Sequence, residues 1–407
     1  MHARLAHFAA GAGLITVVAL TSVLLLSNWN DGDGSRPAAA ASTSKTFRPN
    51  TPHTVDELVL TDTAGTFGAG SMRRVALRGD VLELTDARER SWPKSGQWTS
   101  PEVTTSFGFI ELIPSWNVLT PPDTGASFDV RVRDASSGAW TDWLYLGSCG
   151  RTLTPVSRKI ESGIARVKID EMLLDKPADA YQVRATLFSF SFEPTVTPTL
   201  RRVAVVYSGE TRDPLLRAKL RPPAPPDRSW ARDLKLPFRA QGEETHPAPL
   251  RPQICSPTSV SMVMHHFGID RTTVENALAI YDPEYRLFGN WNRAVQHAGS
   301  LGLDAWIARY RTWDQVKREI AAGRPVIASI RFERGTFPSA LYDSTAGHLL
   351  VIRGFTKEGD VIVNDPARQK GGDGAVYKAA EFARAWFDNG GVAYIIRPPH
   401  QQATAAR

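Results

Sequence analysis

Three side chains with complementary chemistry stand far apart in this chain: a thiol at Cys255, an imidazole at His348 and a carboxylate at Asp365. Cys255 precedes Ser256, a good N-cap, and Pro257, which suits the first helical position; a helix is expected over 257–267 with the sulfur at its tip. Free N–H groups and the positive end of a helix dipole favour the thiolate, which is the nucleophile. Val260, Val263, Met264 and Phe267 supply the apolar positions that would bury this helix and hold the sulfur. Gly347 and His348 open an apolar strand running to Phe355, the glycine leaving room for close approach of another chain segment. A second strand over 360–364 ends at Asp365, and Lys357-Glu358-Gly359 reads as the turn between the two. Such a hairpin brings His348 and Asp365 to the same end. A carboxylate on one ring nitrogen fixes the imidazole tautomer and leaves the other nitrogen to face a thiol, an arrangement suited to nucleophilic attack by sulfur.

The elements around these residues follow an α+β pattern. Helices are expected at 257–267, 272–280 and 290–301. A capping box, Thr312-Trp313-Asp314-Gln315, opens another that runs to Ala322 and stops at Gly323. Strands are expected at 325–331, 348–355, 360–364 and 392–397, with a helix at 378–388.

Upstream, residues 55–208 read as all-β. Phe128, Val130 and Val132 alternate with Asp129, Arg131 and Arg133, the mark of a half-buried strand. Ala165, Val167 and Ile169 repeat the device, and Arg78-Gly79-Asp80 suggests a hairpin turn. Further strands fall at 106–113, 140–146, 181–192 and 200–207. Short strands split by Pro, Gly and Ser turns argue a β-sandwich of jelly-roll or related type. Its tryptophans, Trp92, Trp98, Trp116, Trp140 and Trp143, read either as core or as an aromatic platform for cell-wall polymer or other carbohydrate; the core is favoured. Cys149 reads as a turn residue or a small buried hydrophobe, and both cysteines are expected to be free thiols.

The 407 residues, 42% hydrophobic and 22% charged, are too apolar for a disordered chain and allow two or three domains. A net charge of +6 spread along the chain gives no basic patch, so no nucleic-acid partner is expected. Two cysteines exclude a disulfide-rich scaffold and an iron–sulfur cluster. His265 and His266 would point about 100° apart on a helix and cannot grip one metal; His297 reads as structural. Asp31-Gly-Asp-Gly34 resembles the opening of a calcium loop but lacks the later Glu. No metal or other cofactor is expected. A basic start (His2, Arg4, His7), an apolar run from Phe8 to Leu26 and the small residues Ala38 to Ala41 read as an export signal, with an uncleaved membrane anchor as the alternative. The resulting organisation is an export segment (1–41), a polar linker (42–54), the β-sandwich (55–208), a proline-rich linker (209–233), the α+β domain (234–398) and a tail (399–407).

Five stretches, in order, make residues 234–397 resemble the C39 family of cysteine peptidases, in its stand-alone branch: Leu-Pro-Phe-Arg-Ala-Gln (236–241), Cys-Ser-Pro-Thr-Ser (255–259), Gly-Arg-Pro-Val-Ile (323–327), Gly-His-Leu-Leu-Val-Ile-Arg-Gly-Phe (347–355) and Val-Ile-Val-Asn-Asp-Pro-Ala (361–367). The resemblance implies a papain-like fold in which Cys255 attacks a carbonyl, His348 serves as base and acid, and Asp365 orients it. It also implies an oxyanion-stabilising Gln upstream of the Cys. Gln241 fits the motif but lies 14 residues before Cys255, so the segment between must loop out; Gln253 is nearer, with an awkward reach. The family's Gly after the nucleophile is replaced by Ser256, which is expected to alter the approach of substrate backbone. The expected activity is hydrolysis of a peptide or protein substrate by an exported enzyme. The alternatives are a cell-wall peptide amidase on the same fold and a non-catalytic cell-surface binding protein.

Overall fold

The β-rich N-terminal region is built around two long strands. Glu171–Ser189 pairs antiparallel with Thr124–Asp134, with Lys94–Thr99 and with part of Val103–Leu119, which in turn pairs with Thr199–Gly209. The alternation in Thr124–Asp134 does what its sequence requires: Phe128, Val130 and Val132 are fully buried, and Asp129, Arg131 and Arg133 are half-buried on the other face. The expected hairpin at Gly79 is present, with Arg78 opposite Val81. Twelve strands share this hydrogen-bonded network.

This computed structural model describes residues 54–60, 67–85, 93–151, 158–193 and 195–399. The expected export segment 1–41, the Asp31-Gly-Asp-Gly34 stretch and Trp92 lie outside the described residues. No helix of the described residues is long and apolar enough to cross a membrane.

Two details of the N-terminal region differ from expectation. Ile169 does not extend a strand but sits in a turn at φ +56°, after the short strand Ala165–Lys168. Trp140 makes only an isolated bridge, and the strand begins at Leu144. Trp98 and Trp116 are buried in the core. Trp140 and Trp143 are half-buried, and both have Arg131 stacked over a ring face at 4.8 Å; Arg184 stands 4.5 Å over Trp143.

The C-terminal region places helices Cys255–His266, Thr273–Ile280 and Trp291–Ser300 ahead of a six-stranded antiparallel sheet. Its strand order is Asp304–Arg309, Val392–Arg397, Val326–Phe332, Thr345–Phe355, Val361–Asn364, Asp373–Tyr377. The capping box at Thr312 is complete and opens Trp313–Ala321; an unforeseen second one, Thr272 with Glu275, opens Thr273–Ile280. Sequence reasoning missed the edge strands Asp304–Arg309 and Asp373–Tyr377. The proline-rich stretch is more structured than its composition suggests: it holds the helix Pro214–Leu220, and Trp230 is buried in the core beneath Phe355.

The two regions meet across a buried seam inside one compact unit. Asn117 acts there as a peptide group, donating to Ala305 O (2.7 Å) and accepting from Ala305 N (3.0 Å). Gln296 reciprocates on Val118, accepting from its N (2.9 Å) and donating to its O (2.7 Å). A Cβ at Gly299 would lie 2.4 Å from the Asn117 side chain, so the approach of the Trp291–Ser300 helix needs glycine there. Asp170 Oδ2 accepts the N–H of Trp291, 2.8 Å away, capping that helix from the other region. Ile113 and Val206 share one core with Val260, Met264, Ile307 and Tyr394.

Candidate active site

Cys255 is the first residue of its helix, with Ile254 at the N-cap. Ser256 therefore does not cap: its side chain turns inward, fully buried, with Oγ 3.2 Å from the Tyr394 hydroxyl. That corrects one expectation, since Ser256 lies within the helix and does not cap it. Starting two residues earlier leaves the Cys255 N–H among the donors that have no acceptor within the helix. Ser259 Oγ donates to Leu349 O (3.0 Å), stitching the helix to the strand that carries His348.

His348 lies on Thr345–Phe355, whose Val351 pairs with Asn364 of Val361–Asn364, so the hairpin brings its own two ends together. His348 Nε2 stands 2.8 Å from Asp365 Oδ1. Both residues are buried, Asp365 completely. Cys255 lies within electrostatic reach of His348, and each residue shifts the other's titration. Gly347, by contrast, faces open space, so close chain approach is not its reason for being glycine.

Asp365 is held from every side. Oδ1 also accepts Ala367 N (3.0 Å), Oδ2 accepts the hydroxyls of Tyr377 (2.6 Å) and Tyr342 (3.2 Å), and its own N donates to Gly372 O (2.8 Å). A Cβ at Gly372 would fall 2.3 Å from Asp365 O, so this turn admits only glycine. Neighbouring Asn364 is fully buried and accepts from Arg353 (2.6 Å) while donating to Pro237 O (3.2 Å).

The electrostatics follow from this packing. Burial alone would push the Cys255 thiol up; His348, by hydrogen bond and by charge, and the N–H groups of Leu349 and Ser256 outweigh it and hold the thiol below its ordinary value. Burial would lower His348, but the Asp365 carboxylate and its hydrogen bond raise it to about 10, helped by Cys255. Asp365 is lowered despite burial by the His348 charge and its donors. Both shifts work in favour of a thiolate–imidazolium pair. Cys149 is the opposite case: it is a strand residue, free and buried, pushed up to about 12 by burial. Cys255, half-buried, is also free.

Gln241 is tied to both halves of the site. Its N donates to Pro366 O (2.9 Å), beside Asp365, and its Nε2 to Arg251 O (2.9 Å), four residues before Cys255. The loop between is closed by His246, whose Nδ1 lies 3.0 Å from Gln241 O, and by Arg251 on His246 O (2.9 Å). Gln253 is exposed and bonded to Pro249 O (3.0 Å). Sequence reasoning missed Tyr342 and Tyr377, because nothing in the local pattern of a lone tyrosine reveals a distant carboxylate. His297 Nε2 sits 2.7 Å from Asn276 Oδ1, and no group of three metal-ligating side chains converges among the described residues.

A nucleophilic thiol at a helix tip, against an imidazole oriented by a carboxylate, is the apparatus of thiol-dependent acyl transfer. Residues 234–394 match the model of the Peptidase_C39 like family, and residues 39–208 that of the Peptidase C39 N-terminal domain. Each match covers about two fifths of the chain, and together they make both of its parts similar to C39 peptidase models. Among solved structures, the chain is similar to a double glycine motif protease from an AMS/PCAT transporter in complex with the leader peptide (20% identity, 41% of this chain and 94% of that chain, TM-score 0.30). It is similar also to a Bacillus anthracis protein described as a C39-like peptidase (17%, 40% and 94%, TM-score 0.31). A third is the peptidase domain of Streptococcus ComA, a bi-functional ABC transporter (14%, 36% and 93%, TM-score 0.27). No protein of curated function matches the chain.

Proposed function

We propose that the chain is an exported cysteine peptidase that hydrolyses peptide amide bonds through an acyl-enzyme on Cys255. The thiolate attacks the carbonyl carbon, and the negative charge moves to the carbonyl oxygen. In this reading two donors receive that oxygen: the Cys255 N–H, first in its helix, and the second N–H of the Gln241 amide, whose other N–H is held by Arg251 O. His348 then gives its proton to the departing amine as the C–N bond breaks, leaving a thioester. Water attacks the thioester, His348 takes its proton, the C–S bond breaks, and the acid departs. Asp365 orients the imidazole throughout.

The observation that carries this reading is the buried His348–Asp365 pair at 2.8 Å, with His348 holding the Cys255 thiol below its ordinary value. The inward turn of Ser256 and the open space at Gly347 support access by an extended peptide. The Phe8 to Leu26 run supports export, and the inward alternation of Phe128, Val130 and Val132 supports a sandwich for the N-terminal domain. The test is digestion of a peptide library read by mass spectrometry, beside Cys255→Ala. New termini produced only by the unaltered chain support the proposal; identical patterns overturn it.

A further inference from the structure

Two tyrosines outside the motif stretches converge on the acid of the relay. Tyr377 ends the strand Asp373–Tyr377, and Tyr342 lies in the loop between Val326–Phe332 and Thr345–Phe355, yet both hydroxyls donate to the same oxygen, Asp365 Oδ2. The Tyr342 ring also meets His348 edge-on, with centroids 5.4 Å apart and planes at 78°. Oδ1 is thereby left to His348 and Ala367 N.

We propose that Tyr342 and Tyr377 are positioning residues of the thiol site, a pair of phenol donors that locks the Asp365 carboxylate with one oxygen on His348 and keeps it ionised. This rests on the reading of Cys255 and His348 as a working pair. A fully buried carboxylate has lost its water and stays charged only if protein donors replace it. His348 occupies one oxygen; without the phenols the other is bare, and the group protonates or rotates away. Tyr342 adds a second constraint, because its edge contact holds the imidazole plane that the carboxylate aims. The groups bonded to Asp365 are His348, Tyr342, Tyr377 and the N–H of Ala367; the Arg368 side chain, on the same loop, donates instead to Leu341 O (3.2 Å).

The test is the pH dependence of iodoacetamide alkylation at Cys255 in the full chain, comparing the unaltered protein with Tyr377→Phe, Tyr342→Phe and the double variant. Each substitution removes a single oxygen, so folding is retained; thermal unfolding checks this. The acid limb of the profile is expected to move up by about one pH unit in Tyr377→Phe, the effect of one charge-assisted bond. A smaller shift is expected in Tyr342→Phe, whose bond is longer, and the largest in the double variant. Tyrosines whose hydrogen bonds serve stability alone would lower the unfolding midpoint and leave the limb in place. Limbs that coincide with the unaltered protein's overturn the proposal. An unaltered protein with only an ordinary thiol limb overturns the Cys–His reading as well, and that single curve tells the two failures apart.

Discussion

His348 Nε2 and Asp365 Oδ1, 17 residues apart in sequence, meet at 2.8 Å, with the carboxylate wholly shielded from solvent. The pairing dictates that a neutral imidazole carries its proton on Nε2 and leaves the other nitrogen free to accept one.

The pair also makes stability depend on pH in a stated direction. His348 is raised to about 10 in the folded chain, so its contribution is complete below the unfolded value near 6.5 and disappears as pH rises through about 10. Asp365 is lowered, so its contribution is complete above about 3.9 and disappears as pH falls through its folded value. Asp365→Asn is expected to flatten both flanks of the unfolding-midpoint curve and to cost about 3–5 kcal/mol near neutrality, the cost of breaking a buried pair. Thermal unfolding from pH 3 to 10.5 measures this.

Within the proposed mechanism, Gln241→Ala is expected to lower kcat by about 100- to 1000-fold with little change in KM, as when an oxyanion donor is lost. Gln253→Ala, on an exposed side chain bonded to Pro249, is expected to change neither by more than about twofold. Steady-state kinetics on a peptide from the library digestion compares them.

At the seam, Arg309 is buried and bonded to Glu111, to Glu171 (3.1 Å) and to Ser208 Oγ (2.9 Å). Arg309→Met leaves two carboxylates without that partner and is expected to destabilise by about 3–5 kcal/mol. Because Ile113 and Val206 complete the core around Val260 and Met264, the two regions are expected to unfold together. Urea denaturation followed by circular dichroism and by tryptophan fluorescence checks both points; separate transitions would contradict the shared core.

Burial raises Asp170 to about 7 at the tip of the Trp291–Ser300 helix. A carboxylate raised in the folded state favours folding least at high pH: the penalty is absent below about 3.9 and complete above about 7. Asp170→Asn keeps an acceptor for Trp291 N and removes the charge. Its unfolding midpoint is expected to exceed the unaltered chain's at pH 8 and to match it at pH 3.5.

How far the sequence goes is clearest at the hairpin. A histidine opening one apolar strand, a carboxylate closing the next and a three-residue turn between them define His348 and Asp365 locally, and the structure keeps that geometry. The Cys255 helix was legible because Pro257 and the apolar spacing are local signals; its start was not, because Ser256 finds a better partner in Tyr394, 138 residues away. The seam was invisible for the same reason. Asn117, Gln296 and Asp170 look like ordinary surface polar residues until the other region supplies the backbone groups they satisfy. The edge strand Asp304–Arg309 escaped because it is buried along nearly its whole length and so lacks an alternating pattern.

The most direct measurement is the rate of Cys255 alkylation by iodoacetamide from pH 4 to 10, in the unaltered chain and in His348→Ala. A thiolate paired with imidazolium predicts fast alkylation persisting well below about pH 8.5, the ordinary thiol value, and lost in the variant. A slow reaction with an ordinary thiol profile, indifferent to His348, would contradict the account and leave a binding protein on a peptidase fold.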